Sequence, residues 1–154
     1  MTFLNLVCNA FRDSGVRYAV VGGYAVALHG AVRGTVDIDF VINWNQKTLA
    51  RAENALHGIG LVSRLPISAD DLFRFRQEYM DKRNLIAWNF YNPQDLSEQV
   101  DIIITYDLKG IRTKRVETAD GPVLILPLRE LIEMKRNSGR PQDLEDVKAL
   151  EKMQ

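Results

Sequence analysis

Residues 20–42 read VVGGYAVALHGAVRGTVDIDFVI, and they predict a strand, a glycine turn, a short helix and a second strand in succession. It starts inside the short apolar run VRYAVVG, whose β-branched residues and flanking glycines predict a buried strand. Gly22 and Gly23 then turn the chain, and Tyr24 to His29 form a short Ala-rich helix closed by Gly30. The segment TVDIDFVI at 35–42 predicts a second strand next to the first.

Two carboxylates share one face of this second strand. Side chains alternate along a strand, so Asp37 and Asp39 lie on one side and the apolar residues between them on the other. The aspartates are about 6.6 Å apart, from a rise of ~3.3 Å per residue. Like charges repel at this distance, and a divalent cation such as Mg²⁺ would remove the repulsion. Taken alone, Asp-Ile-Asp is more often a solvated strand face.

Two further features point to the same pocket. Glycines between a strand and a helix, such as Gly22 and Gly23, let the backbone approach phosphate groups, although a plain tight turn has the same appearance. Asp101 enters the apolar strand QVDIII, where a carboxylate is costly without a partner. It would complete a metal site or accept a proton from an attacking hydroxyl; an aspartate in water at a strand end is an equal alternative.

The rest of the chain predicts an α+β fold, a mixed β-sheet flanked by helices in a single domain, 1–154, with a core at 1–126 and C-terminal helices at 127–154. Apolar spacing predicts helices near 3–13, 45–60, 69–83, 127–137 and after Pro141. Strands are predicted at 84–91 and 99–106 around a turn at 92–98, and a hairpin at 115–126 around Asp120-Gly121.

Composition excludes several classes of protein. Lys+Arg and Asp+Glu are both 20, so the net charge is zero and indicates neither nucleic acid nor a membrane surface. A single cysteine, Cys8, rules out an internal disulfide and a cysteine-rich zinc site, and the two histidines, His29 and His57, make a histidine-rich metal site unfavourable. The start of the chain is a poor signal peptide, and we expect a cytoplasmic protein with no membrane partner.

The pattern GG…DID followed by a later strand aspartate resembles the signature of the nucleotidyltransferase superfamily, the polymerase-beta-like fold. The wider run around it, with Leu28-His29-Gly30, Arg33 and Thr35, is similar to small bacterial branches. These are the abortive-infection (type IV toxin) nucleotidyltransferases and, more distantly, the aminoglycoside and lincosamide nucleotidyltransferases. The resemblance is strongest over 18–42, extends to 100–104 and the C-terminal helices, and is weak between 61 and 99.

This resemblance implies an enzyme that transfers a nucleoside monophosphate from an NTP such as ATP to a hydroxyl. Asp37, Asp39 and Asp101 would be both the catalytic residues and the metal ligands of two Mg²⁺ ions that bridge the triphosphate. The hydroxyl would attack the α-phosphorus, and pyrophosphate would leave.

The expected nucleotide-binding residues are Gly22, Gly23, Tyr24, Arg33, Thr35 and Lys135. Tyr24 stands where the family has a serine, so phosphate binding would rest more on backbone N–H groups and basic side chains. Lys135 continues the apolar stripe of its helix and would contact phosphates, with a lysine that merely reaches water as the alternative. The spacing Arg140-x-x-Asp143-x-x-Asp146 is similar in relatives, and surface ion pairs are its alternative.

Three roles remain open from sequence. A toxin would modify a tRNA end or a protein hydroxyl and have a cognate antitoxin. An antibiotic-modifying enzyme is the second role, and a catalytically decayed scaffold or antitoxin, suggested by Tyr24, is the third. A mixture of basic and aromatic residues between 64 and 88 would suit RNA or a solvated helix face. Sequence does not decide the oligomeric state.

Overall fold

A seven-stranded mixed sheet forms the centre of the computed structural model, which describes residues 1–29 and 37–154. Its strands are β1 (Tyr18–Val21), β2 (Ile38–Ile42), β3 (Val62–Ser63), β4 (Ala87–Asn92), β5 (Asp95–Ile103), β6 (Lys114–Thr118) and β7 (Gly121–Ile125). The spatial order is β3-β4-β5-β2-β1-β7-β6. The β2–β5 and β1–β7 pairs are parallel and the other pairs antiparallel, so the predicted mixed sheet is confirmed.

Seven helices surround the sheet in the described part of the chain. They are α1 (Phe3–Asp13), α2 (Gly22–Leu28), α3 (Gln46–Gly58), α4 (Ala69–Arg74), α5 (Arg76–Arg83), α6 (Leu128–Ser138) and α7 (Pro141–Glu151). Their ends follow local chemistry: the Asn45 side chain caps α3 by accepting from the Thr48 N–H, and Gly139, in the left-handed region, ends α6 before Pro141 starts α7. None of the helices within 1–29 and 37–154 has the length and apolar character needed to cross a bilayer.

The aromatic part of the core lies on the face of the sheet that α1 and α3 cover. Ile38, Phe40 and Ile42 of β2 are fully buried there, as the alternation predicts. Phe11 of α1 meets Phe40 edge to face at 5.1 Å between ring centroids, and His57 of α3 lies 6.2 Å from Phe90. Burial of each large apolar side chain contributes about 1.5–3 kcal/mol, so this face fixes the position of β2. The opposite face of β2 carries Asp39 and, two residues on, the fully buried Val41.

Several predicted elements are wrong in their boundaries. The single helix predicted at 69–83 is two helices, because Phe75 leaves the helical region at φ −116° and ψ 23° and is 47% exposed. Arg76 instead fixes α5 through tertiary contacts, with its Nε donating to the Ile104 carbonyl at 2.7 Å and its guanidinium 4.3 Å from the Trp44 ring.

The loop predicted at 92–98 is mostly strand. β5 begins at Asp95, so only Pro93 and Gln94 separate it from β4. This extension of the hairpin is exposed and polar and carries no apolar alternation that a sequence could show. The two-residue strand β3 was not predicted, and α2 begins at Gly22 rather than after the glycines. The predicted nucleotide-binding residues Arg33 and Thr35, and the cap at Gly30, lie outside the described residues.

Candidate active site

Strand register places the predicted carboxylates in one row across the sheet. Val21 of β1 is opposite Asp39 of β2, and Asp39 is in turn opposite Asp101 of β5. Asn89 of β4 is opposite Asp101 and continues the row. Partners in register point to the same face of a sheet, and this face is the one away from the Phe40 core. Asp37 lies one residue before β2 and is half-buried.

The carboxylates of this row interact strongly with one another. The pKa of Asp39 is raised from its ordinary 3.8 to about 7; burial is the largest cause, followed by the charge of Asp101, a hydrogen bond with Asp101 and the charge of Asp37, whereas the charge of Lys135 opposes the rise. Burial and Asp101 also raise the pKa of Asp37, which Arg64 opposes. The Asp39–Asp101 pair therefore needs either a shared proton or a cation at neutral pH.

Gly22 brings the backbone directly against this pair. Its φ is +68°, which a residue with a Cβ adopts only under strain. A Cβ built on Gly22 would overlap Oδ2 of Asp39 and lie 2.9 Å from its Cγ. The glycine is thus required twice, once for the backbone conformation and once for space. Gly22 and Asp39 both line one cleft, whose described lining does not include Asp37.

A chain of hydrogen bonds holds Asp101 from the other side. Asn89 donates through Nδ2 to Oδ1 of Asp101 at 2.8 Å. Oδ1 of Asn89 accepts from Nε of Arg64 at 2.8 Å, and the Arg64 guanidinium lies over the Tyr91 ring at 4.5 Å. Sequence reasoning missed Asn89 and placed Arg64 only in the basic and aromatic set. The register of β4 against β5 is the signal that joins them to the site.

An open cleft of about 830 Å³ lies beside Asp39. Its lining is Val21, Gly22, Asp39, Ile86, Ile103, Thr105, Tyr106, Ile111, Arg129, Glu130, Leu131, Glu133, Met134, Lys135, Asn137, Ser138, Arg140 and Asp143. One part is apolar, with Ile103, Ile111 and Met134, and another is cationic, with Lys135 and Arg140. Such a volume and mixture of walls suit a small-molecule ligand.

Lys135 is the centre of a buried ion cluster between α6 and α7. Its Nζ is 3.0 Å from Oδ2 of Asp146 and 3.5 Å from Oδ1 of Asp143, and Arg140 donates to Asp143 at 2.6 Å. The side chains of Lys135, Asp143 and Asp146 are 7%, 3% and 5% exposed. The two aspartates are therefore buried, and of the predicted surface ion pairs only the Arg140 end, with a side chain that is 72% exposed, lies at the surface. Burial alone would raise the pKa of Asp143, but hydrogen bonds from Arg140 and Ser138, with the charges of Arg140 and Lys135, lower it to about 2.

Replacement of Lys135 tests this cluster. We expect Lys135→Met to lower the free energy of unfolding by about 3 kcal/mol, because it removes the buried cation next to Asp146 and leaves Asp143 with Arg140 alone. Urea unfolding measures the loss. Lys148→Met is the matched control, since Lys148 pairs with Glu145 at 3.5 Å on the surface and should cost no more than about 0.5 kcal/mol. Equal losses in the two variants would contradict the role of the cluster.

The other predicted residues occupy distinct places. Gly23 is buried in α2, and Tyr24 packs half-buried against the core; the described lining of the cleft includes neither. The ring Nε2 of His29 lies 3.0 Å from the Leu126 carbonyl oxygen, which agrees with a structural role for this residue. Basic residues of the predicted RNA-binding set are stacked on rings of the same chain, namely Arg64 on Tyr91, Arg74 on Phe75, Arg76 on Trp44 and Arg83 on Tyr79.

The donor set suits Mg²⁺ in part. Within the described residues, no group of three or more His, Cys, Asp or Glu side chains is arranged so that it could hold a metal ion. Asp39 and Asp101 nevertheless form a close pair of oxygen ligands whose mutual repulsion a cation would relieve. Mg²⁺ commonly takes one or two carboxylates and completes its shell with water and substrate phosphates. The pair fits that requirement. Asp37 is close enough that its charge raises the pKa of Asp39.

A sheet that sets a glycine turn and paired carboxylates beside an open cleft is suited to phosphoryl transfer. Comparison with solved structures identifies the fold. The lincomycin-bound lincosamide antibiotic adenylyltransferase LnuA is 15% identical with a TM-score of 0.63, over 99% of this chain and 96% of LnuA. The antibiotic-resistance factor ANT(2'')-Ia is 14% identical with a TM-score of 0.60, over 96% of this chain and 80% of that protein. An antigenic nucleotidyltransferase-like protein from Paracoccidioides brasiliensis is 14% identical with a TM-score of 0.60, over 96% of this chain and 72% of that protein.

The chain therefore has the fold of the nucleotidyltransferase superfamily, which confirms the predicted fold class and the superfamily resemblance. Neither a family model nor a curated protein sequence matches the chain significantly.

Proposed function

We propose that the protein is a Mg²⁺-dependent nucleotidyltransferase that moves a nucleoside monophosphate from an NTP to a hydroxyl acceptor. One observation carries the proposal: within a nucleotidyltransferase fold, the sheet register sets Asp39 beside Asp101, and Gly22 packs against the Asp39 carboxylate at the edge of a cleft that Gly22 and Asp39 line. A solvated strand face would not require a glycine packed against the aspartate. The overlap that any Cβ at position 22 would create supports a site that is built for close approach.

The cleft is the proposed NTP site. Its volume of about 830 Å³ accommodates a nucleoside triphosphate, and its apolar walls at Ile103, Ile111 and Met134 would contact the base. The triphosphate would lie beside Lys135 and Arg140, near Asp39, and would share these two cations with Asp143 and Asp146. Gly22 and Gly23 would offer backbone N–H groups without a side chain in the way. Tyr24 would support this turn through its packing against the core.

Asp39 and Asp101, joined by Asp37, are the proposed ligands of two Mg²⁺ ions. When bound, these ions would neutralise the triphosphate and stabilise the attacking and leaving oxygens of an in-line displacement. Asp101 would also accept the proton of the acceptor hydroxyl. The acceptor oxygen then forms a bond to the α-phosphorus, the bond from that phosphorus to the α,β-bridging oxygen breaks, and pyrophosphate leaves with the electron pair.

Two observations each support a different class of acceptor. The resemblance of residues 18–42 to type IV toxins supports a cytoplasmic toxin that modifies a tRNA end or a protein hydroxyl and is neutralised by a cognate antitoxin. The likeness to LnuA, solved with lincomycin bound, and to the resistance factor ANT(2'')-Ia supports an antibiotic as a second candidate acceptor. Growth arrest on expression would favour the toxin, and raised resistance to a lincosamide or aminoglycoside would favour the second role.

A labelled-nucleotide assay tests the proposal. The protein is incubated with each α-³²P-labelled NTP, Mg²⁺ and cell extract, and we expect label to move to a macromolecule or a small acceptor only when Mg²⁺ is present. The position of the label identifies the acceptor class. Absence of transfer by the wild type, together with absence of NTP binding by calorimetry in the presence of Mg²⁺, would refute the enzyme and favour a decayed scaffold.

A further inference from the structure

We propose that Asn89 is a positioning residue that fixes the orientation of the Asp101 carboxylate, and that Arg64 in turn sets which way the Asn89 amide faces. The inference rests on the proposed function, because it assigns the residues that hold one of its metal ligands. Neither side chain belongs to the described lining of the cleft. Their action is therefore on the ligand and not on the nucleotide.

The direction of the hydrogen bonds follows from chemistry. A guanidinium has only donors, so the atom of Asn89 that meets Nε of Arg64 at 2.8 Å must be the carbonyl oxygen. Nδ2 is then left to face Oδ1 of Asp101 at 2.8 Å, and an ionised carboxylate only accepts. The reversed amide would set oxygen against carboxylate and N–H₂ against guanidinium. Arg64 thus selects the single orientation of Asn89 that supports Asp101.

Arg64 is itself held from three sides. Its backbone N–H donates to the Asn89 carbonyl oxygen at 2.9 Å, which places it beside β4. Its guanidinium lies over the Tyr91 ring at 4.5 Å and reaches Oε1 of Gln99 at 3.4 Å. The Asn89 amide also lies 3.4 Å from that same Gln99 oxygen. The amide is therefore set in a frame of polar groups, although Arg64 is exposed to solvent.

The fold does not need an asparagine at this position. Trp88 and Phe90 on either side of Asn89 are fully buried and provide the packing of β4. Asn89 points to the opposite, half-buried face, and asparagine is a poor strand former. Of its side-chain hydrogen bonds to Arg64, Gln99 and Asp101, only the one to Asp101 reaches the row of carboxylates. Oδ1 of Asp101 is taken by that bond, while the same carboxylate also meets Asp39, so its rotation is blocked at both sides.

Partners that orient a metal ligand typically change metal affinity or activity by about 10- to 100-fold when removed. We expect Asn89→Leu, which keeps the shape and removes the donor, to weaken Mn²⁺ binding at least about tenfold by calorimetry on the protein without nucleotide. Transfer should show kcat reduced by about the same factor and KM for the NTP within about twofold, because Asn89 does not line the cleft. Circular dichroism and thermal unfolding verify that each variant is folded.

The chain contains a matched control on the same strand. Asn92 also donates through Nδ2 to a carboxylate of β5, Oε1 of Glu98, at 2.9 Å, but away from the row. Asn92→Leu should leave Mn²⁺ affinity and kcat unchanged. Equal effects of the two leucine variants would overturn the inference while the proposed function stood, whereas a wild type that neither binds Mn²⁺ nor transfers label would refute the function itself.

Arg64→Met tests the second half of the proposal. Loss of the guanidinium frees the Asn89 amide to rotate, so Mn²⁺ affinity should fall by about threefold to tenfold. The double variant with Asn89→Leu should be no weaker than Asn89→Leu alone, since Arg64 acts through the amide. Additive losses would show that Arg64 acts on the site by its charge instead, and would remove it from the positioning chain.

Discussion

Asp39→Asn is expected to stabilise the fold and abolish transfer. The substitution keeps the shape but removes the charge that burial and Asp101 make costly. A metal ligand in this position supports several kcal/mol of transition-state stabilisation, so transfer should fall by about 1,000-fold. In metal-free buffer at pH 8, the free energy of unfolding should rise by on the order of 2 kcal/mol, measured by urea unfolding.

The stability gain of Asp39→Asn should be larger at high pH than at low pH. The folded-state pKa of Asp39 is raised to about 7 from 3.8. Between these values the folded protein keeps a proton that the unfolded chain releases, so the wild type loses stability as the pH rises through this window. The advantage of Asp39→Asn should therefore be small at about pH 4 and complete above about pH 7.

Asp70→Asn is the control for this variant, because Asp70 is about half exposed and lies outside the row. It should change neither transfer nor the pH dependence of stability. Transfer by Asp39→Asn at the wild-type rate would refute a metal-ligand role. A lower stability than the wild type at pH 8 would show that the carboxylate is well compensated without metal.

Gly22→Ala should damage both the fold and the site. The left-handed backbone costs about 1–2 kcal/mol for a residue with a Cβ, and the overlap with the Asp39 carboxylate adds about 1–3 kcal/mol. We therefore expect a loss of about 3 kcal/mol in urea unfolding. Displacement of the Asp39 carboxylate by about 1 Å should also lower transfer by about 100-fold.

Gly60→Ala separates the two causes. Gly60 also has a positive φ, +90°, but a Cβ there meets nothing within 4 Å. This control should lose only the backbone part, about 1–2 kcal/mol, with full transfer. If Gly22→Ala costs no more than Gly60→Ala, the glycine is needed for its backbone alone. In that case Gly22→Ala and Asp39→Ala should have additive effects on the free energy of unfolding. If Asp39→Ala relieves the overlap, the double variant should instead lose measurably less stability than the sum of the two single variants.

Much of the site could be predicted because its residues differ from their immediate neighbours in the sequence. Gly22, Asp39 and Asp101 are each unusual in an apolar run, and the alternation along β2 assigns the face of Asp39 correctly. Asp39 and Asp101 come together only because β2 pairs with β5. This pairing joins residues far apart in the sequence, so no local pattern predicts it. The resemblance to a known family implied only that Asp101 shares a metal site with Asp37 and Asp39, and the register shows that Asp39 and Asp101 are neighbours.

Other features could not be predicted from local pattern. Asn89 in the alternating segment WNFY has the appearance of an ordinary solvated position, because only the register with Asp101 gives it a partner. The interruption at Phe75 opposes a helical pattern that the sequence shows clearly, since tertiary contacts of Arg76 decide the position of α5. The cluster of Lys135 with Asp143 and Asp146 was visible as spacing, but its burial depends on how α7 packs on α6.

The register of β5 has a consequence for evolution of the site. Asp101 stands between Val100 and Ile102, which point to the core, so a slip of one residue would bury the carboxylate and expose the two apolar side chains. Any sequence that packs this core well also keeps Asp101 on the face of Asp39. The shared face of the two carboxylates is thus inherited from the folding pattern itself, and mutations on the buried face can perturb chemistry without ever touching a ligand.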